Sequence, residues 1–239
     1  MPNPYILLWL EAPLQSWGYD SKFGRRDTLN FPTKSGVLGL ICCALGAGGE
    51  QRELLAQFSL LSQTVIAYVR TQQRGQQLPI KSDRELLLRD FQMVGSGYDD
   101  QDLWESLLIP KTSEGKKAVG GGTKMTYRNY LQDMAFAVVL EIPISLTELL
   151  IEKLQNPEWD LYLGRKSCAP TDFIYRGLFD CESVALSEAE KIVQQKFLAE
   201  DFRVFSGERE GEVVTLNDVP IQFGEHKKYR DRRVTLIPS

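Results

Sequence analysis

The order of the apolar segments constrains this chain most. "YILLWLE", Tyr5 to Glu11, reads as a strand stopped by Pro13. Helical spacing follows at Val37, Leu38, Ile41, Cys42 and Leu45, with Thr33 or Ser35 as cap, and "ELLAQFSLL" extends the helical region. Alternation returns over Gln63 to Thr71. After a polar excursion the succession repeats: "MAFAVVLEIP" (Met134 to Pro143) reads as a strand. "SLTELLIEKLQN" follows as a helix with Ser145 as N-cap and Leu146, Leu149, Leu150 and Leu154 on one face, and a further strand lies near Phe173 to Cys181. The order β-α-β, insertion, β-α-β predicts an α+β fold of the split βαβ kind. In this ferredoxin-like or RRM-like arrangement, helices lie on one face of an antiparallel sheet.

The domain organisation follows. Residues 1–74 and 129–185 form the two-part core unit, and the stretch from Gly75 to Arg128, polar and Gly-bearing without core periodicity, is an excursion from it. Residues 186–239 form a small C-terminal extension packed on that unit: a helix near Ser187 to Ala199, a hairpin over Phe202 to Leu216 around "GEREGE", and a basic terminal strand ending "RRVTLIPS". No apolar run reaches the roughly 18 residues that span a bilayer, and the N-terminus lacks a basic region before its apolar stretch, so the chain is expected in the cytoplasm, away from membranes.

Several chemistries find little to work with. Cys42 and Cys43 are adjacent, Cys168 and Cys181 isolated, and His226 is the single histidine, so neither a zinc site nor a disulfide framework is expected, nor any other cofactor. A metal-independent ribonuclease needs a general base beside a cation, and His226 next to Lys227, Lys228 and Tyr229 is the one candidate; a histidine in a basic tail is more often ordinary surface. Asp99 and Asp100 have no framework to organise a metal pair.

Charge is segregated within a net of −4. Residues 110 to 130 hold Lys111, Lys116, Lys117, Lys124 and Arg128 against Glu114, a net of +4, interleaved with Tyr127 and Tyr130. That mixture suits phosphate pairing and base stacking, and suits a solvated hairpin about as well. Residues 225 to 233 carry five bases against Glu225 and Asp231, a net of +3, whereas residues 180 to 212 carry nine acids against four bases. One surface is suited to phosphates while another repels them or meets a basic partner.

Two further stretches have anion-binding character. In "PLQSWG…YDSKFGRRDT…FPTKSG", Gln15, Ser16, Thr33 and Ser35 offer hydrogen bonds with little bulk near Gly18, and Lys22, Arg25, Arg26 and Lys34 add positive charge. A helix starting at Thr33 to Gly36 would turn free backbone N–H groups and the positive end of its dipole toward a phosphate. The plainer reading is that Trp17 is core, Thr33 only a cap and the charges solvated. The GxxxxGK[ST] spacing of a nucleotide-binding loop is absent. In "LGRKSC", Gly164 precedes Arg165, Lys166 and Ser167, a combination that grips phosphate or sugar but is also common on any surface.

Taken in order, "PLQSWG", "FPTKSGVLGLICCALG", "YRNYLQDMAFAV" and "LYLGRKSC" resemble the type I-E members of the Cas-five family of CRISPR-associated proteins, subunits of the Cascade surveillance complex. The resemblance covers the chain to about Gly177 and weakens in the excursion and the tail. It implies an RRM-like palm with a long β-hairpin thumb, which the excursion fits. It also implies binding of the 5′ handle of CRISPR RNA, capping of the CasC backbone, contact with the large CasA subunit, and a part in recognising target DNA through the assembled complex in antiviral defence. Gln15, Ser16, Trp17, Gly18, Lys22, Arg25, Arg26, Thr33, Lys34, Ser35, Arg165, Lys166 and Ser167 would line the handle site, Trp17 either stacking on RNA or, the favoured alternative, bracing the loop from beneath. Lys111, Lys116, Lys117, Lys124, Tyr127 and Arg128 would be the thumb's RNA contacts. Type I-C relatives cleave precursor CRISPR RNA themselves, which is the alternative activity. This chain departs from a cleaving member in having its one histidine far from the matching motifs, so a non-catalytic binding subunit is expected.

Overall fold

The computed structural model describes residues 2–19, 21, 24–72, 80–94, 111–116 and 124–239. In chain order its elements are β1 (Tyr5–Gln15), β2 (Trp17–Gly18), β3 (Arg25–Arg26), β4 (Thr28–Leu29), α1 (Lys34–Ala44), α2 (Arg52–Phe58), β5 (Gln63–Gln72), β6 (Ile80–Lys81), β7 (Leu88–Val94) and β8 (Lys124–Glu141). A 3-10 turn at Ile144–Leu146 then leads into α3 (Thr147–Gln155), β9 (Tyr175–Phe179), α4 (Glu182–Lys196), β10 (Leu198–Ser206), β11 (Glu212–Gln222) and β12 (Lys228–Pro238). The architecture is mixed, with few helices and a dominant antiparallel sheet in the order β11-β12-β10-β5-β8-β1-β9.

The near-continuous hydrophobicity of β1 and of the second half of β8, from Met134, arises because both faces of the central sheet are covered there, so neither stretch keeps a polar side. Ile6, Leu8 and Leu10 of β1, with Phe136, Val138 and Leu140 of β8, share a core with Val37, Leu38 and Ile41 of α1, Leu55 and Phe58 of α2, and Leu150 and Leu154 of α3. The alternate residues Leu7, Trp9, Ala135, Ala137 and Val139 meet Ala185, Ala189 and Ile192 of α4 on the opposite face. There Trp9 stacks on Tyr68 with ring centroids 5.6 Å apart, both rings being buried.

Local expectations are revised in four places. Ser145 is not a cap: the chain enters α3 through a 3-10 turn, Leu146 holds the N-cap position without a side-chain hydrogen bond, and Leu149 is 43% exposed while Leu150 and Leu154 are buried. The C-terminal helix starts earlier than expected, at Glu182, and stops where Phe197 takes a left-handed φ of 54°. β10 and β11 do not form a hairpin, because β12 lies between them, pairing Phe202↔Pro238 on one side and Glu212↔Leu236 on the other. β8 begins well before Met134: its polar first half pairs with β7 (Phe91↔Tyr127, Met93↔Met125), so the boundary drawn at residue 129 falls within one continuous strand.

Candidate nucleic-acid interface

The turn after β1 is built from within. Gln15 is buried; its Nε2 donates to the Met134 carbonyl at 2.7 Å and the Leu10 carbonyl at 3.2 Å, and its Oε1 accepts from Trp17 Nε1 at 3.2 Å. Trp17 donates its backbone N–H to Thr28 Oγ1 at 2.8 Å and lays its ring on α1, where a Cβ at Gly36 would lie 2.8 Å from Trp17 Cε3. Trp17 therefore braces the turn from beneath; Ser16 is buried as well, and Gly18 is the exposed residue of the turn. The Ser16 N–H donates to the Leu163 carbonyl at 3.1 Å, drawing "LGRKSC" against "PLQSWG". On the third side Thr33 caps α1, its Oγ1 accepting from Gly36 N at 3.0 Å with Ser35 Oγ 3.3 Å away. Of the two caps the sequence permits, Thr33 serves.

These segments enclose a groove of about 390 Å³ lined by Ser16, Trp17, Gly18, Thr33, Ser35 and Gly36, with Gly164 opposite. Gly39, Cys42, Cys43 and Ala47 continue the α1 side, and a further wall comes from residues the sequence reading did not choose for a site: Trp159, Phe223, Lys227 and Tyr229. The net +3 of the tail pointed toward Lys227. The aromatic residues carry no local signature, since Phe223 and Tyr229 meet α1 only once β11 and β12 dock, and Trp159 reaches the groove from the loop after α3.

Lys34 does not face this groove. It is 2% exposed, its Nζ donating to the Leu61 carbonyl at 2.6 Å and the Ser59 carbonyl at 3.4 Å, and its backbone N–H donating to Asp218 Oδ2 at 2.7 Å. Burial, reinforced by the Arg232 charge and opposed by Asp218, holds its ammonium down at about 8. Because the folded value lies below the ordinary one, the unfolded chain binds the extra proton between about pH 8 and 10.5, and folding gains stability as pH rises through that interval. In urea titrations, Lys34→Met is expected to remove that rise; an unchanged pH profile would show that the ammonium is not held as described.

Arg165 is likewise spoken for. Its guanidinium donates to the Arg26 carbonyl at 2.9 Å and the Asn129 carbonyl at 3.2 Å and lies 4.5 Å over the Tyr130 ring. Burial pushes the Tyr130 hydroxyl up, but its bonds with Ser167, Arg165 and Arg128 outweigh that and hold it below its ordinary value. Arg165 thus ties the loop to β3 and β8. Lys166 and Ser167 stay exposed, Ser167 on the rim of a second concavity of about 410 Å³ with Arg89, Arg128 and Tyr130.

Arg25 and Arg26 project from β3, which pairs in parallel with Tyr127 and Arg128. The Arg25–Asp27 contact, 3.8 Å and exposed, holds little of that charge back. On the β7–β8 ribbon Arg89 sits 4.5 Å over Tyr127, whose ring is 5.1 Å from Phe91. Lys111 and Lys116 are exposed, Lys116 pairing with Glu114 at 3.0 Å. Lys22, Lys117 and the side chain of Lys124 lie outside the described residues. No set of His, Cys, Asp and Glu among the described residues is placed to hold a metal ion.

The assembly of a buried Gln–Trp turn, a capped helix and a Gly-bearing loop around one groove extends over segments that a single family model also joins: the model described as CRISPR-associated protein (Cas_Cas5) matches residues 5–235. The chain belongs to the Cas5 family of CRISPR-associated proteins. Among Cas5 relatives it is similar to the CRISPR system Cascade subunit CasD of Escherichia coli (strain K12), 30% identical over 176 residues, which cover 72% of this chain and 70% of that protein. Two solved structures share the Cas5 fold. A chain of a CRISPR RNA-guided surveillance complex superimposes with a TM-score of 0.68 at 26% identity, over 98% of this chain and 90% of that one. The other, described as the crystal structure of a Cas protein, gives 0.58 at 26% identity, over 98% and 94%.

Proposed function

We propose that this Cas5-family chain is a non-catalytic, cytoplasmic RNA-binding subunit of a type I-E Cascade complex, seating the 5′ handle of CRISPR RNA at one end of a CasC backbone and offering a surface to CasA. One observation carries the reading: three short Gly-bearing segments converge on one groove, and the Gly164 loop among them carries the exposed Lys166 and is bonded through Arg165 to the Arg26 carbonyl, Arg25 and Arg26 being exposed. Single-stranded RNA presents splayed bases and phosphates to such loops, so small polar side chains and backbone groups set shape while cations neutralise phosphate. The similarity to CasD and to a chain of an RNA-guided surveillance complex supports placing this chemistry in Cascade.

The order β9-β1-β8-β5, with α1 and α3 in the connections, supports reading this unit as a ferredoxin-like palm. Because α4 seals one face of that sheet, RNA is expected at the end of β1 rather than across the sheet. The β7–β8 ribbon is the base of the thumb in this reading, and the complex as a whole meets target DNA. His226 is exposed on the β11–β12 turn, outside the groove lining, and no bond-breaking step is assigned to the chain.

Arg25→Ala with Arg26→Ala is expected to weaken binding of handle RNA about tenfold and to lower the salt slope of the affinity by about 1.4, two phosphate contacts' worth for a single strand. Salt-matched titrations giving wild-type affinity and slope would rule out the site. Cleavage of repeat RNA by the purified protein, lost in His226→Ala, would overturn the non-catalytic assignment.

A further inference from the structure

We infer that the C-terminal extension, through Phe223, Lys227 and Tyr229, joins Trp159 from the loop after α3 to make the remaining wall of this groove a seat for one unpaired nucleobase of the bound RNA, the three aromatic residues around the base and Lys227 at its phosphate. The inference rests on the RNA-binding reading and adds residues and a ligand part that reading does not contain.

The wall is fixed in the free chain. Phe223 donates its N–H to the Glu50 carbonyl at 2.9 Å, and Gln222 Nε2 donates to the His226 carbonyl at 2.9 Å and to Glu50 Oε1 at 3.1 Å, so the turn carrying Lys227 is held from both ends. Gly224, at φ +75°, closes that turn in a conformation glycine adopts freely. Behind it, the Asp218–Arg232 pair and the Lys34 N–H lock β11 and β12 to the start of α1. A side chain or base entering here meets surfaces already in place, so little ordering cost is left to binding.

The chemistry of the wall separates it from the rest of the groove. Ser16, Gly18 and Ser35 offer small polar groups, whereas this side offers aromatic surface: Trp159 is 48% exposed, and Phe223 and Tyr229 are half-buried. Aromatic rings partly open to the groove beside an exposed lysine match the two parts of a nucleotide, a π-face and a phosphate, and stacking needs no particular base. The volume, about 390 Å³, lies within the roughly 300–1,000 Å³ of pockets that hold small ligands.

The test titrates fluorescent handle RNA against the full chain and against Cascade assembled around it, using Tyr229→Ala, Tyr229→Phe and Lys227→Ala, together with handle RNAs made abasic at each position in turn. Tyr229→Ala is expected to weaken binding about five- to a hundredfold and Tyr229→Phe to restore it, as stacking requires. One abasic position is expected to cost the wild-type chain a similar factor and to cost Tyr229→Ala nothing further, the coupling of two groups in one contact. Lys227→Ala is expected to lower the salt slope by about 0.7. Wild-type affinity in both variants, while Arg25→Ala with Arg26→Ala still weakens binding, would remove this wall from the RNA site and leave the site itself standing. Unchanged RNA affinity with loss of assembly would make the wall a protein contact instead. Strictly additive losses at every abasic position would overturn the seat, and absence of RNA binding by the wild-type chain would overturn it together with the reading beneath it.

Discussion

Gly164→Ala is expected to cost about 3–5 kcal/mol of folding stability and to abolish handle binding. Gly164 has φ +101°, a region L side chains rarely adopt, and a Cβ there would fall 1.8 Å from the Ser16 carbonyl oxygen and 2.8 Å from its carbon. That neighbour is backbone, held by the Ser16 N–H bond to Leu163, so no rotamer change relieves the overlap. Either "LGRKSC" lifts off or "PLQSWG" is driven into Trp17 and α1, and both routes open the groove. At about 2–4 °C per kcal/mol for a chain of this size, the melting temperature should fall by roughly 6–20 °C. Gly18→Ala is the control for the melting temperature alone, since a Cβ at Gly18 meets nothing within 4 Å although the residue lines the groove. A Gly164→Ala protein with wild-type melting and RNA affinity would mean that the two loops do not touch as described.

This contact explains why the site was only half legible in the sequence. "PLQSWG" and "LGRKSC" each carry the glycine and small polar residues of a backbone-lined site, and a pairing between them was implied only by resemblance to a family. The roles within them follow from packing. Lys34 and Arg165 looked like phosphate ligands because a cation beside glycine carries no label for burial. The structure gives Lys34 to the Ser59 and Leu61 carbonyls, and Arg165 to the Arg26 and Asn129 carbonyls. The central strands were readable because two covered faces impose apolar residues on both sides of the pleat. The first half of β8 was not, because "KMTYRN" pairs in a ribbon whose Met93, Met125 and Phe91 stay about half exposed, and no core periodicity marks it. The β10–β12–β11 order was hidden for another reason. Sequential strands usually pair, and here Gly207, at φ +86°, and Gly211, at φ +140°, carry the chain past the place that β12 fills.

Asp218→Ala is expected to cost about 3–5 kcal/mol, because it strips the partner from a buried charge. Asp218 is 2% exposed; its carboxylate accepts from Arg232 Nε at 2.7 Å and Nη2 at 2.9 Å, and from the Lys34 N–H at 2.7 Å. Without it the guanidinium keeps only Ser206 Oγ at 3.3 Å, and the first N–H of α1 loses its acceptor. Burying an ion pair is costly in itself, so replacing both members with apolar residues should cost less than removing one. Asp218→Leu combined with Arg232→Met is therefore expected to be more stable than either single variant, a coupling readable from urea midpoints across the four proteins. Additive losses would show that the pair is not the clamp. The double variant also separates stability from function. It restores a folded chain whose β11–β12 hairpin is no longer tied to α1 through a directional bond, so if the clamp sets the spacing of the groove, handle affinity stays low while the urea midpoint recovers. If affinity recovers along with stability, packing alone positions the hairpin.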